Sequence, residues 1–201
     1  MYRPAPMPRR AAPILFAVVA LAGCGGGERQ DADEARESYR VEVVSASFPS
    51  EQRIAERATM SVRVRNADSK TVPNLALTVR TGARTTGGAT AAFGQSAGDS
   101  RLADDERPVW IVDEAPAGGD TAYSSTWALG RLAPEQTKTF RWRLTPVQAG
   151  RYRVAYEVAP GLDGRARLAG GSKAAGRFRV TVDDAPVEAS VGADGQVVRG
   201  R

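Results

Sequence analysis

The chain has 201 residues and a formal net charge of +5, from 28 lysines and arginines against 23 aspartates and glutamates. It holds one cysteine and no histidine, which excludes an internal disulfide, a Ser-His-Asp triad, a Cys-His pair and any histidine-ligated metal. Only Lys70, Lys138 and Lys173 are lysines, so arginine supplies nearly all of the positive charge.

Met1 to Arg10 carries Arg3, Arg9 and Arg10 with no acid, and Ala11 to Ala22 is apolar. That apolar run is too short to cross a hydrocarbon core of about 30 Å, which needs roughly 20 helical residues. A basic start followed by a short apolar segment fits a secretory leader. The leader ends in Leu21-Ala22-Gly23-Cys24. This run resembles the lipobox of bacterial lipoproteins: an aliphatic residue, a small one, glycine or alanine, then cysteine. The resemblance implies cleavage between Gly23 and Cys24, with a diacylglyceryl (palmitate-type) group on the Cys24 thiol. Two acyl chains suffice for stable anchoring where one is marginal. An ordinary secretory peptide with a chance cysteine is the bland alternative. The lipoprotein reading places the mature protein on the outer face of the cytoplasmic membrane, or on the outer membrane in a Gram-negative source. Arg3, Arg9 and Arg10 leave with the leader, so about +2 of the formal +5 remains.

Residues 24–38 follow as the lipidated cysteine and a tether. Gly25 to Ser38 has no large apolar side chain, and its five acids, Glu28 to Glu37, outnumber Arg29 and Arg36. Such a composition buries too little surface to order itself. As a random coil it would hold a domain roughly 20 Å from the membrane.

From Tyr39 the hydrophobic period is two. Met60, Val62 and Val64 alternate with Ser61, Arg63 and Arg65, and Leu75, Leu77 and Val79 with Ala76, Thr78 and Arg80. Phe140, Trp142 and Leu144 alternate with Arg141 and Arg143. Tyr152, Val154, Tyr156 and Val158 do so with Arg153, Ala155 and Glu157, and Phe178, Val180 and Val182 with Arg179 and Thr181. Strands with one buried face have this pattern. Tyr39, Val41 and Val43 keep one phase and Val44, Ala46 and Phe48 the other, which predicts a bulge or a change of sheet. Turn residues at Asn66-Ala67-Asp68-Ser69, Gly118-Gly119-Asp120, Ala133-Pro134-Glu135 and Gln148-Ala149-Gly150 separate the runs. Strands are expected at 39–48, 58–66, 74–81, 108–113, 121–129, 137–145, 150–158 and 175–182, with no amphipathic helix between them. The fold class is all-β: an immunoglobulin-like antiparallel sandwich of about 7–9 strands over residues 39–184. Residues 185–201 form a tail, either frayed or closed into a small hairpin around Asp194-Gly195. Thr81 to Pro108 reads as a long mobile connection rich in Gly, Ala, Thr and Ser, with Phe93 its only aromatic residue.

Ser61 to Asn66 followed by Val72-Pro73-Asn74-Leu75, and Trp127 to Pro134 followed by Ala149-Gly150-Arg151-Tyr152, resemble bacterial extracellular immunoglobulin-like domains of the cell-adhesion-related kind. The resemblance covers residues 57–81 and 125–182 and rests on turn formers and core aromatics. It implies a binding or architectural module and carries over no catalytic residue.

Candidate chemistry is sparse. Asp104-Asp105-Glu106 and Asp113-Glu114 flank a Pro-Val-Trp segment. Two carboxylates beside an aromatic platform suit glycoside chemistry, and several carboxylates suit Ca²⁺. Acids at strand ends are also ordinary solvated residues. Val109 and Ile111 share one phase, which leaves Trp110 on the other. A ligand edge, if one exists, is therefore expected at Trp110 with Asp104, Asp105, Glu106 and Asp113. No catalytic residue, metal ligand or cofactor is assigned. Trp142, Tyr152 and Tyr156 follow the core phase, and the arginines follow the outward phase. Those arginines read as a solvated skin or, alternatively, as a surface for anionic lipid or wall polyanions. Nucleic acid is not expected outside the cytoplasm. The function that emerges is a lipid-anchored, non-catalytic binding or structural module of the bacterial envelope, whose partner is an envelope protein or a cell-wall polyanion. Its alternatives are an envelope enzyme or Ca²⁺-dependent carbohydrate site over Asp104–Glu114, and an accessory subunit of a larger envelope assembly.

Overall fold

The structure is a computed structural model, and it describes residues 34–83, 89–91, 93–94, 108–123, 125–185, 189–191 and 197–199. The leader, Gly23, Cys24 and Asp104 to Glu106 lie outside the described residues. Those described are strand, turn and irregular chain.

Two sheets carry the domain. The first has the order β2 (Val41–Ser47), β4 (Ala58–Asn66), β11 (Thr137–Pro146), β8 (Trp110–Glu114) and β7 (Phe93–Gly94). The second runs β3 (Glu51–Arg53), β14 (Ala175–Asp183), β12 (Gly150–Ala159), β5 (Ala76–Ala83), β10 (Thr126–Ala128) and β9 (Asp120–Tyr123), with β6 (Ala89–Ala91) also on β5. Two small ribbons stand apart. In one, β1 (Ser38–Tyr39) pairs with β13 (Arg167–Leu168); in the other, β15 (Ala189–Val191) pairs with β16 (Val197–Arg199) in antiparallel fashion. The long central pairings are antiparallel, and the parallel ones, β1 with β13, β3 with β14 and β7 with β8, each involve a short strand.

The alternating runs fold as their period demands. Phe140, Trp142 and Leu144 are fully buried while Arg141 and Arg143 between them are exposed, and β12 repeats the pattern with Tyr152, Val154, Tyr156 and Val158 inside. The phase change in β2 is a bulge: the register on β4 shifts between Val43 and Ser45, which leaves Val44 exposed. Beyond it the chain also changes sheets, with Phe48 turning into the core before β3 joins β14.

Aromatic side chains of both sheets meet in the middle. Trp142 of β11 lies edge-on to Trp127 of β10, with centroids 5.3 Å apart, and Trp110 of β8 lies edge-on to Tyr152 of β12 at 5.4 Å. Each ring removes about 150–250 Å² from water, and the tilted geometries suit their quadrupoles. Phe93, in the stretch expected to be a mobile connection, is 7% exposed and touches Trp110, Trp127 and Trp142. The described parts of that connection thus belong to the sheets, because a lone aromatic in a polar segment has a core to fill. The Tyr152 hydroxyl donates to the Ala149 carbonyl at 2.9 Å, as in the tyrosine corner of immunoglobulin-type sandwiches. Gly150 has φ +147°, and a Cβ there would press on that hydroxyl at 3.0 Å and on the ring at 3.1 Å.

At one end Asn66 is fully buried. Its amide donates to the carbonyls of Lys70 and Leu132 at 2.8 and 2.9 Å, and its Oδ1 accepts from the Asp68 amide at 2.9 Å. The turn foreseen at Asn66 to Ser69 thus also ties β4 to the chain around Leu132. The tether shows a departure from expectation: Glu34 to Ser38, its last stretch, are built into the fold. Glu34 is 7% exposed, and its carboxylate accepts from the amides of Ala166, Leu162 and Asp163 at 2.6, 2.7 and 2.9 Å. Gly161 faces the carboxylate so closely that a Cβ would overlap it. A polar composition does not order by burial, but here backbone donors from a distant loop do the ordering.

Candidate functional site

The expected ligand edge takes a different form in the structure. Trp110 is fully buried, and its Nε1 donates to Oε1 of Gln52 at 2.8 Å. Gln52, itself 6% exposed, donates to the Pro49 carbonyl at 2.9 Å and so links the two sheets at that end. Trp110 is therefore a core residue rather than a platform. The segment Val109 to Val112 is apolar in both phases, and the structure buries both Val109 and Trp110 in the core while Val112 packs partly buried against it.

Asp113 is exposed. It accepts from the Thr145 hydroxyl at 2.7 Å and lies 3.7 Å from Nε of Arg57. Glu114 pairs with Arg143 at 2.6 Å. Both acids thus serve cross-strand contacts on the outer face of the first sheet, and the structure does not bring Asp113 together with Trp110's indole. Among the described residues, no group of three or more His, Cys, Asp or Glu side chains has the geometry to hold a metal ion.

The arginine-rich skin splits into two outer faces. On the first sheet, Arg65 of β4 contacts Glu42 at 3.2 Å and Glu135 at 3.1 Å, and Arg143 of β11 contacts Glu114, while Arg63 and Arg141 stand opposite Thr139 and Ser61. On the second sheet the register gathers arginines into adjacent rows. Arg177 of β14 and Arg80 of β5 lie either side of Ala155 of β12; in the next row Arg179, Arg153 and Gly82 lie side by side; Arg151 follows opposite Thr181. Glu157 pairs with Arg80 at 3.6 Å. Glu51 and Asp183 sit farther along the same face. Among the described residues, Arg151, Arg153, Arg177 and Arg179 have no acidic partner.

Ala155 and Gly82 leave the centre of these rows low. The result is a shallow groove of about 610 Å³, walled by Arg80, Arg153, Glu157 and Arg177. A second depression of about 240 Å³ shares Arg153 and continues over Arg151 and Arg179. The outward phase of each arginine is legible in the sequence. Which arginines become neighbours, and which of them meet acids, depends on strand order and register.

No protein-family model matches the chain, and no curated protein matches it. Similar solved structures include a CARDB domain from Pyrococcus furiosus, determined in complex with di-metal ions, at 18% identity over 72% of this chain and 92% of that one, with a TM-score of 0.43. Native alpha-2-macroglobulin from Escherichia coli, over domain MG7 to the C-terminus, is 13% identical over 79% of this chain and 21% of that one, with a TM-score of 0.42. Red sea bream transglutaminase is 11% identical over 73% of this chain and 15% of that one, with a TM-score of 0.38.

Proposed function

We propose that this chain is an exported, lipid-anchored, non-catalytic module of the bacterial cell envelope, held by a diacylglyceryl group on Cys24 and offering the outer surface of its sandwich to an envelope partner. The observation that carries the reading is Leu21-Ala22-Gly23-Cys24, which closes a basic and apolar leader and contains the chain's one cysteine. A non-catalytic role is supported by the lack of histidine and by Asp113 and Glu114 being engaged with Thr145 and Arg143. A lipid-tethered sandwich suits display: its stiff sheets fix the surface, and its anchor restricts the search for partners to the envelope.

Metabolic labelling with a clickable palmitate, wild type beside Cys24→Ala, tests this. The expected result is label on the wild type alone and a variant that keeps residues 1–23. Equal labelling of both, or of neither, overturns the anchor and leaves a secreted sandwich.

A further inference from the structure

We propose that the outer face of β14, β12 and β5 is a docking surface for a linear, phosphodiester-linked polyanion of the cell wall. The choice of a wall polymer rests on the envelope reading above; the anionic chemistry rests on the face alone.

Five arginines, Arg80, Arg151, Arg153, Arg177 and Arg179, share this face, and one acid, Glu157, pairs with one of them. Arg153 and Arg179 are direct cross-strand neighbours. Like charges in that position oppose pairing of the strands, so the arrangement suits a bound anion that relieves the repulsion. Same-face residues along a strand repeat about every 6.8 Å and neighbouring strands lie about 4.8 Å apart, so the arginine positions recur along and across the strands at intervals that suit a charge repeated along an extended chain. Ala155 and Gly82 provide the low floor on which such a chain can lie.

The chemistry favours phosphate. A guanidinium fork binds either carboxylate or phosphate in bidentate fashion. A phosphodiester carries its charge in the backbone of the polymer itself, and its two free oxygens can reach neighbouring forks such as those of Arg153 and Arg179, which the register sets side by side. A lipid bilayer fits less well. Arginines alone give only a salt-sensitive contact with anionic headgroups; insertion into the interface calls for apolar side chains beside the charges, and the large apolar side chains that are exposed among the described residues, Val44, Val147 and Leu168, lie on other elements. Nor does any outward residue of these rows offer an aromatic ring on which nucleic-acid bases stack.

The test measures binding of a synthetic poly(glycerol phosphate) oligomer to the full chain in a zwitterionic detergent. Arg153→Ser with Arg179→Ser is compared with a control of equal charge on the opposite face, Arg63→Ser with Arg141→Ser. The wild type is expected to bind with a steep salt dependence. The first pair should weaken binding about tenfold and flatten the log–log salt slope by about one per arginine removed, while the control pair matches the wild type. Equal loss in both pairs, no binding of the oligomer, stronger binding of polygalacturonate, or binding only to phosphatidylglycerol vesicles would each overturn the proposal. Palmitate labelling separates this from the reading beneath it. Arginine-dependent binding without labelling retains the face and removes the envelope assignment; labelling without such binding does the reverse.

Discussion

The two outer faces of the sandwich are built from the same alternating strands and the same arginine-rich composition, yet they handle charge differently. On the β2–β4–β11–β8 face, acids meet two of the cations: Arg65 reaches Glu42 and Glu135, and Arg143 reaches Glu114, while Arg63 and Arg141 stand opposite Thr139 and Ser61. On the β14–β12–β5 face, four of the five arginines in the rows have no acidic partner among the described residues, and two of those stand directly opposite each other. Exposed ion pairs add little stability, about 0–1 kcal/mol each, so the pairing on the first face chiefly offsets part of its charge, and no two of its arginines stand directly opposite each other. The second keeps a repulsion that folding alone gives no reason to keep. Local strand chemistry is equal on the two sides, and the contrast lies in what each surface is free to meet.

Both faces rest on one aromatic layer, so the largest expected effect comes from beneath. Trp110→Ala should cost about 3–5 kcal/mol through the cavity it leaves, and it also strands the Gln52 carboxamide that the indole satisfies. Urea unfolding would measure this loss. A cost under about 1 kcal/mol would mean that the indole is dispensable to the core.

Next in size is Glu34. Burial raises its pKa, but the amides of Asp163, Ala166, Leu162 and Arg165 outweigh that and hold the carboxyl below its ordinary 4.5. A carboxyl lowered by folding stabilises above its unfolded value and loses that contribution as pH falls through the folded value. Wild-type stability should therefore drop as the pH is taken below about 4.5, and Glu34→Ala should flatten this part of the curve. At neutral pH the same variant leaves three loop amides without their acceptor, at about 3 kcal/mol. Melts at neutral and acid pH check both; parallel curves would show that this carboxylate is not the titrating group.

How much of this was legible in the sequence depends on how local each cause is. The central strands could be read because apolar and charged residues alternate within each one, and Trp142, Tyr152 and Tyr156 were placed in the core by phase alone. The burial of Trp110 is not legible in the same way because Val109 to Val112 is apolar in both phases; its hydrogen-bond partner, Gln52, comes from a separate strand that periodicity does not connect to it. Glu34 looked like a solvated tether residue because its partners lie more than 120 residues away in the chain. The contrast between the faces was hidden for a related reason. Outward arginines are visible one strand at a time, but pairing Arg65 with Glu42, or Arg153 with Arg179, needs the register.

The smallest expected effects sharpen the comparison most, because their signs differ between the faces. Glu114→Gln, which frees Arg143 on the first sheet's outer face, should destabilise by about 0.5 kcal/mol. Arg153→Thr on the opposite face should stabilise by a similar amount: it removes a like-charge pair and places a β-branched residue in the middle of a strand. For a domain of this size that is a rise in Tm of about 1–2 °C, accompanied by weaker poly(glycerol phosphate) binding. Arg153→Glu, which sets opposite charges across from each other, should raise Tm further and weaken binding more. If Arg153→Thr instead lowers Tm, the aliphatic stem of the arginine lying over Ala155 and Gly82 contributes more than the repulsion removes. The row would then be held by packing, and its bare charges would no longer call for an anion.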